Sequence, residues 1–472
     1  ADGSQTGKFV YLDMEEYRDM YLTRDALIAA LDRPGLEAVR AGIALQAYIP
    51  DSFAVLRELA AWSRHRVAAA RDRGQQCQPL TVRIVKGANM EMERVEASIM
   101  GWPQAPYQTK LETDANFKRM VREALRAENA AGLRVGIASH NLFDVALALL
   151  WAARCGGLGT PRMQFEMLEG MANHQRRAIF ECVQRLLLYA PACGQKDFIH
   201  AIGYLIRRLD ENTGAENFLR HTFRLDPAGP EFATLAAAFR QSLEVIDTVA
   251  ATPRRTQDRR CPPAQPPAAS HWSRYVNEPD TDWSLPHNSE WAEAIVARWQ
   301  TRCGEAAAVV PLLIAGKEVG PGRLERSSCD PSRPGTVVCR YREATASDIE
   351  QAVACARQDP AGWRSRPHEE RHAILRAAAQ LMRERRADLI GAVVADGGKT
   401  IAEADPEVSE AIDFTEFYPL AAAELYESDR LQVAGRGVVV VVSPWNFPIA
   451  IPCGGITAAL AAGNTVILKP AS

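Results

Sequence analysis

From Phe9 to Asn212, short apolar, β-rich runs alternate with longer amphipathic stretches, the pattern of parallel strands joined by crossover helices. The runs are FVYLDM (9–14), GIALQAY (42–48), LTVRIVKG (80–87), RVGIASH (134–140), RMQFEML (162–168) and LLLYAP (186–191). Polar residues fall in or just beyond the second half of each run: Asp13, Gln46, Arg83, Lys86, His140, Asn141, Glu166 and Tyr189. That asymmetry predicts the rim of a (β/α)8 barrel, where functional side chains gather at the strand C-termini. Closure needs eight strands, so the reading expects six of the eight here and two upstream of Ala1. An open doubly wound sheet also binds ligands at strand C-termini, and the pattern alone leaves it open.

The pattern changes after residue 225. The stretch 252–270 is rich in Pro, Arg and Gln and predicts an exposed linker with too few apolar residues to pack. The expected division is therefore 1–225, a linker over 226–310, and a second α/β region over 311–472. In that region Ser347 and Glu350 have capping-box spacing. Pro367 opens one long amphipathic helix expected to run to about Val394. The chain closes on two strands, GVVVVVSPWNF and NTVILKPAS, that read as buried and flank an Ala-rich helix from about Pro452 to Ala462.

At 472 residues, with 47% hydrophobic and 24% charged residues, the chain has the balance of a multidomain globular protein. Its formal net charge of -3 gives no bulk attraction for nucleic acid. Ten cysteines lie scattered with no CxxC pair and no metal-ligand spacing, which predicts reduced thiols, no metal and a cytoplasmic location. No apolar run approaches the ~18 residues needed to span a bilayer.

The segment 197–212 separates into two helical faces. Ile199, Ile202, Leu205, Ile206 and Leu209 form an apolar stripe, and Tyr204, Arg207, Arg208 and Glu211 share the opposite face. The bland alternative is a solvated face with an intrahelical ion pair of about 0.3 kcal/mol. Adjacent arginines also suit a small carboxylate, because two guanidinium forks can hold both oxygens.

The ordered motifs DMEEY (13–17), QAY (46–48), VRIVKGAN (82–89), ASHN (138–141), LYAP (188–191) and YLIRRLDEN (204–212) resemble the proline dehydrogenase barrel of the bifunctional proline utilization A family. The likeness covers essentially all of residues 1–225. It implies an FAD-containing barrel, six of whose eight strands are present, that oxidises L-proline to Δ1-pyrroline-5-carboxylate and passes electrons to a membrane quinone. By the same resemblance Arg207 and Arg208 clamp the proline carboxylate. Tyr189, Tyr204, Leu168 and Glu211 line the substrate pocket, and Asp13 braces it. Arg83 lies near the reactive edge of the flavin, while Gln46, Val85, Lys86, Gly87, Thr109, Lys110, His140 and Asn141 contact FAD. A glycine at 87 suits a close backbone approach to a ring or phosphate. His140 taken alone reads more simply as a structural histidine. Asn89 and Met90 depart from the aromatic residues some members carry there, and Glu166 stands where a Gln facing the flavin is expected.

SPWNFP (443–448) followed by AALAAGNTVILKPAS (458–472) is similar to the aldehyde dehydrogenase superfamily, with a likeness reaching back to about residue 310. The resemblance implies the N-terminal part of an NAD-binding α/β domain. Asn446 then donates its amide to a developing oxyanion, Lys469 meets the adenosine ribose of NAD, and Pro444, Trp445, Ile467 and Pro470 shape the cleft. YVNEPDTDWSLPHNSEW (275–291) resembles the pyrroline-5-carboxylate dehydrogenase branch, whose substrate is glutamate semialdehyde. Aldehyde oxidation needs a thiolate and a base that the family carries beyond the KPA motif. Cys453 reads as a structural thiol, so this segment, expected to be truncated at both ends, should not oxidise the aldehyde itself. The full protein is expected to be a cytoplasmic homo-oligomer with peripheral contact at the inner membrane face. Two other classes stay open: a proline dehydrogenase whose second half is only a scaffold, and a proline-responsive repressor carrying a DNA-binding extension.

Overall fold

The structure, a computed structural model, describes residues 8–183, 185–203, 206, 217–221, 225–320 and 322–471. The chain divides into two compact units that meet in sequence at Thr256 and Gln257.

In the first unit the predicted runs form six strands, β1 (Phe9–Leu12), β2 (Arg40–Gln46), β3 (Leu80–Val85), β4 (Leu133–Ala138), β5 (Met163–Leu168) and β6 (Leu186–Tyr189). They make one sheet in the order β1-β2-β3-β4-β5-β6, every pair parallel. Between them run α1 (Tyr17–Leu31), α2 (Asp51–Asp72), α3 (Met90–Met100), α4 (Lys110–Ala124), α5 (Leu142–Arg154) and α6 (Asn173–Val183). Because strand side chains alternate, each strand has two faces. Ile43, Leu45, Val82, Ile84, Val135, Ile137 and Phe165 are buried on the face covered by α2 and α4. Gln46, Arg83, Gly136 and Glu166 occupy alternate positions, on the other face.

Strand order and one hydrogen bond decide between the two sheet architectures. A doubly wound sheet reverses its strand order, and this one does not. Were the sheet flat, its edge strands would stand roughly 24 Å apart at about 4.8 Å per spacing. Tyr189 at the end of β6 instead donates to Asp13, just past β1, at 3.0 Å. The sheet is therefore curled, as a partial (β/α)8 barrel requires.

The stretch expected to be an unpacked linker is fastened to both units by polar contacts. Helix α7 (Pro230–Glu244) packs on α4 and α5. Arg255, 2% exposed, donates to the Pro103 carbonyl at 3.1 Å and lies between the Tyr17 and Trp102 rings, each 4.9 Å away. In the second unit Arg259 is held by Thr281 and the Pro279 carbonyl. Counting apolar residues misses this, because a stacked guanidinium at Arg255 and a hydrogen-bonded one at Arg259 carry the packing.

The second unit contains α8 (Pro286–Gln300), β7 (Ala308–Val310), β8 (Leu313–Ile314), β9 (Lys317–Glu318), β10 (Glu325–Cys329), β11 (Val337–Arg342), α9 (Ala346–Gln358), α10 (His368–Glu384), α11 (Arg386–Gly397), α12 (Ile401–Tyr426), β12 (Val438–Val442), α13 (Ala450–Ala461) and β13 (Thr465–Lys469). Its core joins Ile295, Ala379, Ile390, Val393, Ala404, Val408 and Ile412 from four helices, α8, α10, α11 and α12. The capping box at α9 is Thr345 with Asp348, not Ser347 with Glu350. The expected single helix from Pro367 breaks at Arg385, which leaves helical geometry with φ -98° and ψ 9° and separates α10 from α11. β12 and β13 pair in parallel around α13, as a βαβ unit should. They are not wholly buried: Val441 faces α13 at Gly455, whereas Val440 and Val442 are 56% and 70% exposed.

Candidate active site

Three strands of the curled sheet converge on the Arg83 guanidinium. Its Nη2 pairs with Asp13, and Tyr189 donates to the second oxygen of that carboxylate at 3.0 Å. The Tyr11 and Tyr189 rings flank the cation at 4.7 and 5.1 Å. Nη1 lies 3.7 Å from Oε2 of Glu166, whose Oε1 accepts from Tyr11 at 2.5 Å and from Gln164 at 2.9 Å. Burial first, and then the Glu166 charge, pushes the Tyr11 hydroxyl well above the usual phenol range.

Gln46 fastens the neighbouring loop. Its amide donates to the Met14 and Glu15 carbonyls at 2.8 and 2.5 Å, and its Oε1 accepts from the Ala88 N–H at 3.3 Å. The Val85 and Lys86 carbonyls accept from Ala47 and Tyr48, both at 2.8 Å. Gly87 has φ +136°, and a Cβ there would come within 2.5 Å of the Tyr48 ring. The close approach that needs a glycine is thus to a buried side chain of the protein. Asn89, also buried, donates to the Glu15 carbonyl at 3.3 Å.

Lys86 lies in a buried ion cluster with Asp114 at 2.5 Å and Asp144 at 2.8 Å. Lys118 adds a contact to Asp144 at 3.2 Å, and Lys110 one to Asp114 at 2.5 Å. Burial alone would lower the Lys86 pKa, but the two carboxylates reverse that and raise it. Against the upward pull of burial, Lys86, Lys110 and Lys118 bring Asp114 down to about 2. Thr109 is the N-cap of α4 and forms a capping box with Glu112. Asn141 caps α5 by accepting from Phe143 N–H at 3.0 Å. His140 Nε2 accepts from Leu168 N–H at 3.3 Å, and Leu168 is in register with Tyr189.

The structure therefore gathers Asp13, Arg83, Glu166 and Tyr189 in one constellation. Gln46, Val85, Lys86, Gly87, His140, Asn141 and Leu168 lie in or just beyond the ends of strands of that sheet, with Thr109 and Lys110 at the start of α4. Arg207, Arg208, Tyr204 and Glu211 lie outside the described residues. Tyr11, Gln164, Asp114, Lys118 and Asp144 were missed as participants. Tyr11 and Gln164 share the alternation parity of Asp13 and Glu166, the one signal that could have found them.

Arg83 Nε and Glu166 Oε2 are buried and have no hydrogen-bond partner among the described groups. An orphaned donor and acceptor on the functional face fit a polar ring system such as a flavin, and the amide nitrogens opening α4 fit its phosphates.

In the second unit Pro444, Trp445 and Asn446 follow β12 and are exposed, and Lys469 ends β13 in register with Val442. Ligands of open α/β sheets bind beyond such strand ends. The PWNFP loop is clamped from beneath. Glu407, 2% exposed, accepts from the Ile449 and Ala450 N–H groups at 2.7 and 3.2 Å, capping α13. Its other oxygen pairs with Lys399 at 2.6 Å, and the Lys399 ammonium sits 3.8 Å from the centre of the Phe447 ring. The Cys453 thiol donates to the Ala411 carbonyl at 3.4 Å, and burial pushes its pKa up, the opposite of thiolate activation.

Residues 2–221 match the family described as Proline dehydrogenase, and residues 322–472 match the Aldehyde dehydrogenase family. The Bifunctional protein PutA of Salmonella typhimurium is 29% identical over 476 residues, taking in 98% of this chain and 33% of that protein. The 1-pyrroline-5-carboxylate dehydrogenase of Bacillus thuringiensis is 35% identical over 208 residues, 42% of this chain and 40% of its own. Among solved structures, proline utilization A from Bdellovibrio bacteriovorus inactivated by N-propargylglycine has a TM-score of 0.82 at 31% identity, covering 99% of this chain and 46% of that one. The chain thus spans about a third of the length of the curated PutA protein it matches.

Proposed function

We propose, for this PutA-like chain that joins a region of the proline dehydrogenase family to one of the aldehyde dehydrogenase family, a place in a bifunctional enzyme that converts L-proline to glutamate. The first region oxidises L-proline to Δ1-pyrroline-5-carboxylate with FAD. The second, in the whole protein, takes part in the NAD-dependent oxidation of glutamate semialdehyde, the hydrolysed form of that product. Both families use FAD or NAD respectively, and FAD would supply the hydride acceptor. The observation that carries the reading is the convergence of Arg83, Asp13 and Tyr189 from three strands of one curled sheet.

In this reading Arg207 and Arg208 hold the proline carboxylate, with Tyr189, Tyr204, Leu168 and Glu211 around the ring. Asp13 and Tyr189 hold the Arg83 guanidinium toward the flavin, and the pairing of two oxygens with two donors limits its rotation. Gln46 fixes the loop that carries Ala88, while Val85, Gly87, Thr109, Lys110, His140, Asn141 and Glu166 border the cofactor. Lys86 contributes through its buried carboxylate pairs. In the second region Asn446 donates its amide to the developing oxyanion, and Pro444, Trp445 and Lys469 border NAD. A membrane quinone is the proposed electron acceptor, reached by peripheral contact. Among the described residues no helix is long and apolar enough to cross a membrane.

The test is proline-dependent bleaching of flavin absorbance in the full-length protein, followed by addition of NAD. Bleaching and then formation of NADH and glutamate is expected. Bleaching without NADH would remove the second activity, and absence of bleaching by proline would overturn the first.

A further inference from the structure

Glu166 is 3% exposed, and its carboxyl group lies beside an Arg83 that already has Asp13 as its ion-pair partner. A buried carboxylate is costly unless donors hold it. Here Tyr11 reaches it from β1 at 2.5 Å and Gln164 from β5, the strand of Glu166 itself, at 2.9 Å, both on Oε1. The space is made by Gly136, where a Cβ would stand 2.1 Å from that oxygen and 3.0 Å from the Tyr11 hydroxyl. Among the described residues Oε2 accepts no hydrogen bond, and it lies 3.7 Å from Arg83 Nη1. Tyr11 therefore acts on Arg83 twice, through its ring at 4.7 Å and through the carboxylate its hydroxyl holds.

Among the described residues one guanidinium faces two carboxylates, Asp13 at the rim and Glu166 beneath, so an ionised Glu166 would set a second negative charge against Arg83. We infer that Tyr11, Gln164 and Glu166 are a positioning unit beneath Arg83, which fixes the guanidinium and offsets its charge toward the bound redox group. The unit limits how strongly Arg83 can stabilise negative charge that develops on that group. This rests on the flavin reading above and adds to it three residues with a stated electrostatic sign.

The test uses the full-length protein with its flavin and sulfite as probe. Sulfite bonds through its sulfur lone pair to an oxidised flavin ring, leaves the ring negatively charged and bleaches its spectrum, so its affinity reports local charge without proline turnover. Glu166→Gln removes the charge and keeps an oxygen for Tyr11. The sulfite dissociation constant should fall at least about tenfold. Glu166→Asp, which keeps the charge, should stay within about threefold of the wild type. An unchanged dissociation constant in Glu166→Gln overturns the inference. Should that variant emerge without flavin, Tyr11→Phe replaces it: it removes the hydroxyl that holds Oε1 and so releases the carboxyl group from its fixed place under Arg83, and the sulfite dissociation constant should move by about threefold, with no change again overturning the inference. A wild-type protein that binds no flavin would sink the flavin reading itself, which separates the two failures.

Discussion

Tyr189 ends the last strand of the first sheet and Asp13 follows the first strand, yet the phenol donates to the carboxylate at 3.0 Å while Arg83 holds its other oxygen. The bond spans the edges of a six-stranded sheet, so it records the curl of the sheet and at the same time sets the orientation of the central cation.

The first prediction concerns that orientation. Asp13→Asn keeps an acceptor for Tyr189 but removes the partner charge of Arg83. The Asp13 side chain is 37% exposed, so solvent softens the loss. Proline-dependent flavin reduction in the full-length protein should slow about tenfold, and Tyr189→Phe, which removes only a neutral donor, about threefold. Stopped-flow absorbance at saturating proline reads both rates. Equal rates in wild type and Asp13→Asn would show that the pair does not matter for hydride transfer.

A second prediction follows from Gly87. Its φ of +136° is open to glycine, and a methyl group there meets the ring of Tyr48, which is 2% exposed and cannot swing away. Gly87→Ala should destabilise the first unit by at least about 2 kcal/mol from backbone strain and overpacking together. A lowered denaturant midpoint is the measurement, and an unchanged midpoint would mean that the loop relaxes.

The strands of the first unit were legible because their apolar and polar positions alternate with period two. Gln46, Arg83 and Glu166 announced the functional face. What the alternation could not tell was which residues meet across the curled sheet: Tyr11 to Glu166 joins positions 155 residues apart. The partners of Lys86 come from two helices whose polar residues read as ordinary surface positions. In the second unit the break at Arg385 escaped notice because the sequence around it, ERRADLI, continues the amphipathic pattern and only backbone geometry stops the helix. The Thr345–Asp348 cap begins two residues before the expected one, a local choice that two similar spacings make ambiguous. Arg255 escaped because a sequence rich in Pro and Arg reads as solvated until aromatic partners are placed around it.

Lys86 and Lys110 can be told apart by experiment although the resemblance implies a cofactor contact for both. Lys86→Met leaves Asp144, whose side chain is wholly buried, with Lys118 alone at 3.2 Å. Removing one partner of such a pair costs about 3–5 kcal/mol, so this variant should lose flavin because the first unit unfolds. Lys110 has a side chain 35% exposed, and Lys110→Met should cost under about 1 kcal/mol. Its expected signature is weaker flavin retention with an unchanged denaturant midpoint. Midpoint and flavin content measured together distinguish the two, and a stable, flavin-free Lys86→Met would place that lysine at the cofactor directly.

The last prediction concerns pH and the second unit. Asp413 of α12 accepts from Tyr275 at 2.8 Å and from the Glu278 N–H at 2.7 Å, both on Oδ1. Burial raises its pKa from the ordinary 3.8 to about 6, and the neighbouring Glu278 charge adds to the rise while Arg383 opposes it. A carboxyl whose folded pKa is raised contributes stability that is fully present below its unfolded value near 3.8. That contribution is lost as pH rises through about 6. Ionised Asp413 therefore weakens the unit at pH 7. Asp413→Asn preserves an oxygen for both donors and removes the titration. The variant should be more stable than wild type at pH 7, by about 1 kcal/mol once screening by the solvent that reaches the site is allowed for, with the difference shrinking toward pH 4. Buried Asp114 and Asp405 titrate in the opposite direction in both proteins, so they cancel in the comparison. Denaturant midpoints at pH 4.5 and pH 7 check it, and a variant that loses stability at pH 7 would show that Tyr275 and Glu278 N–H need a charged acceptor.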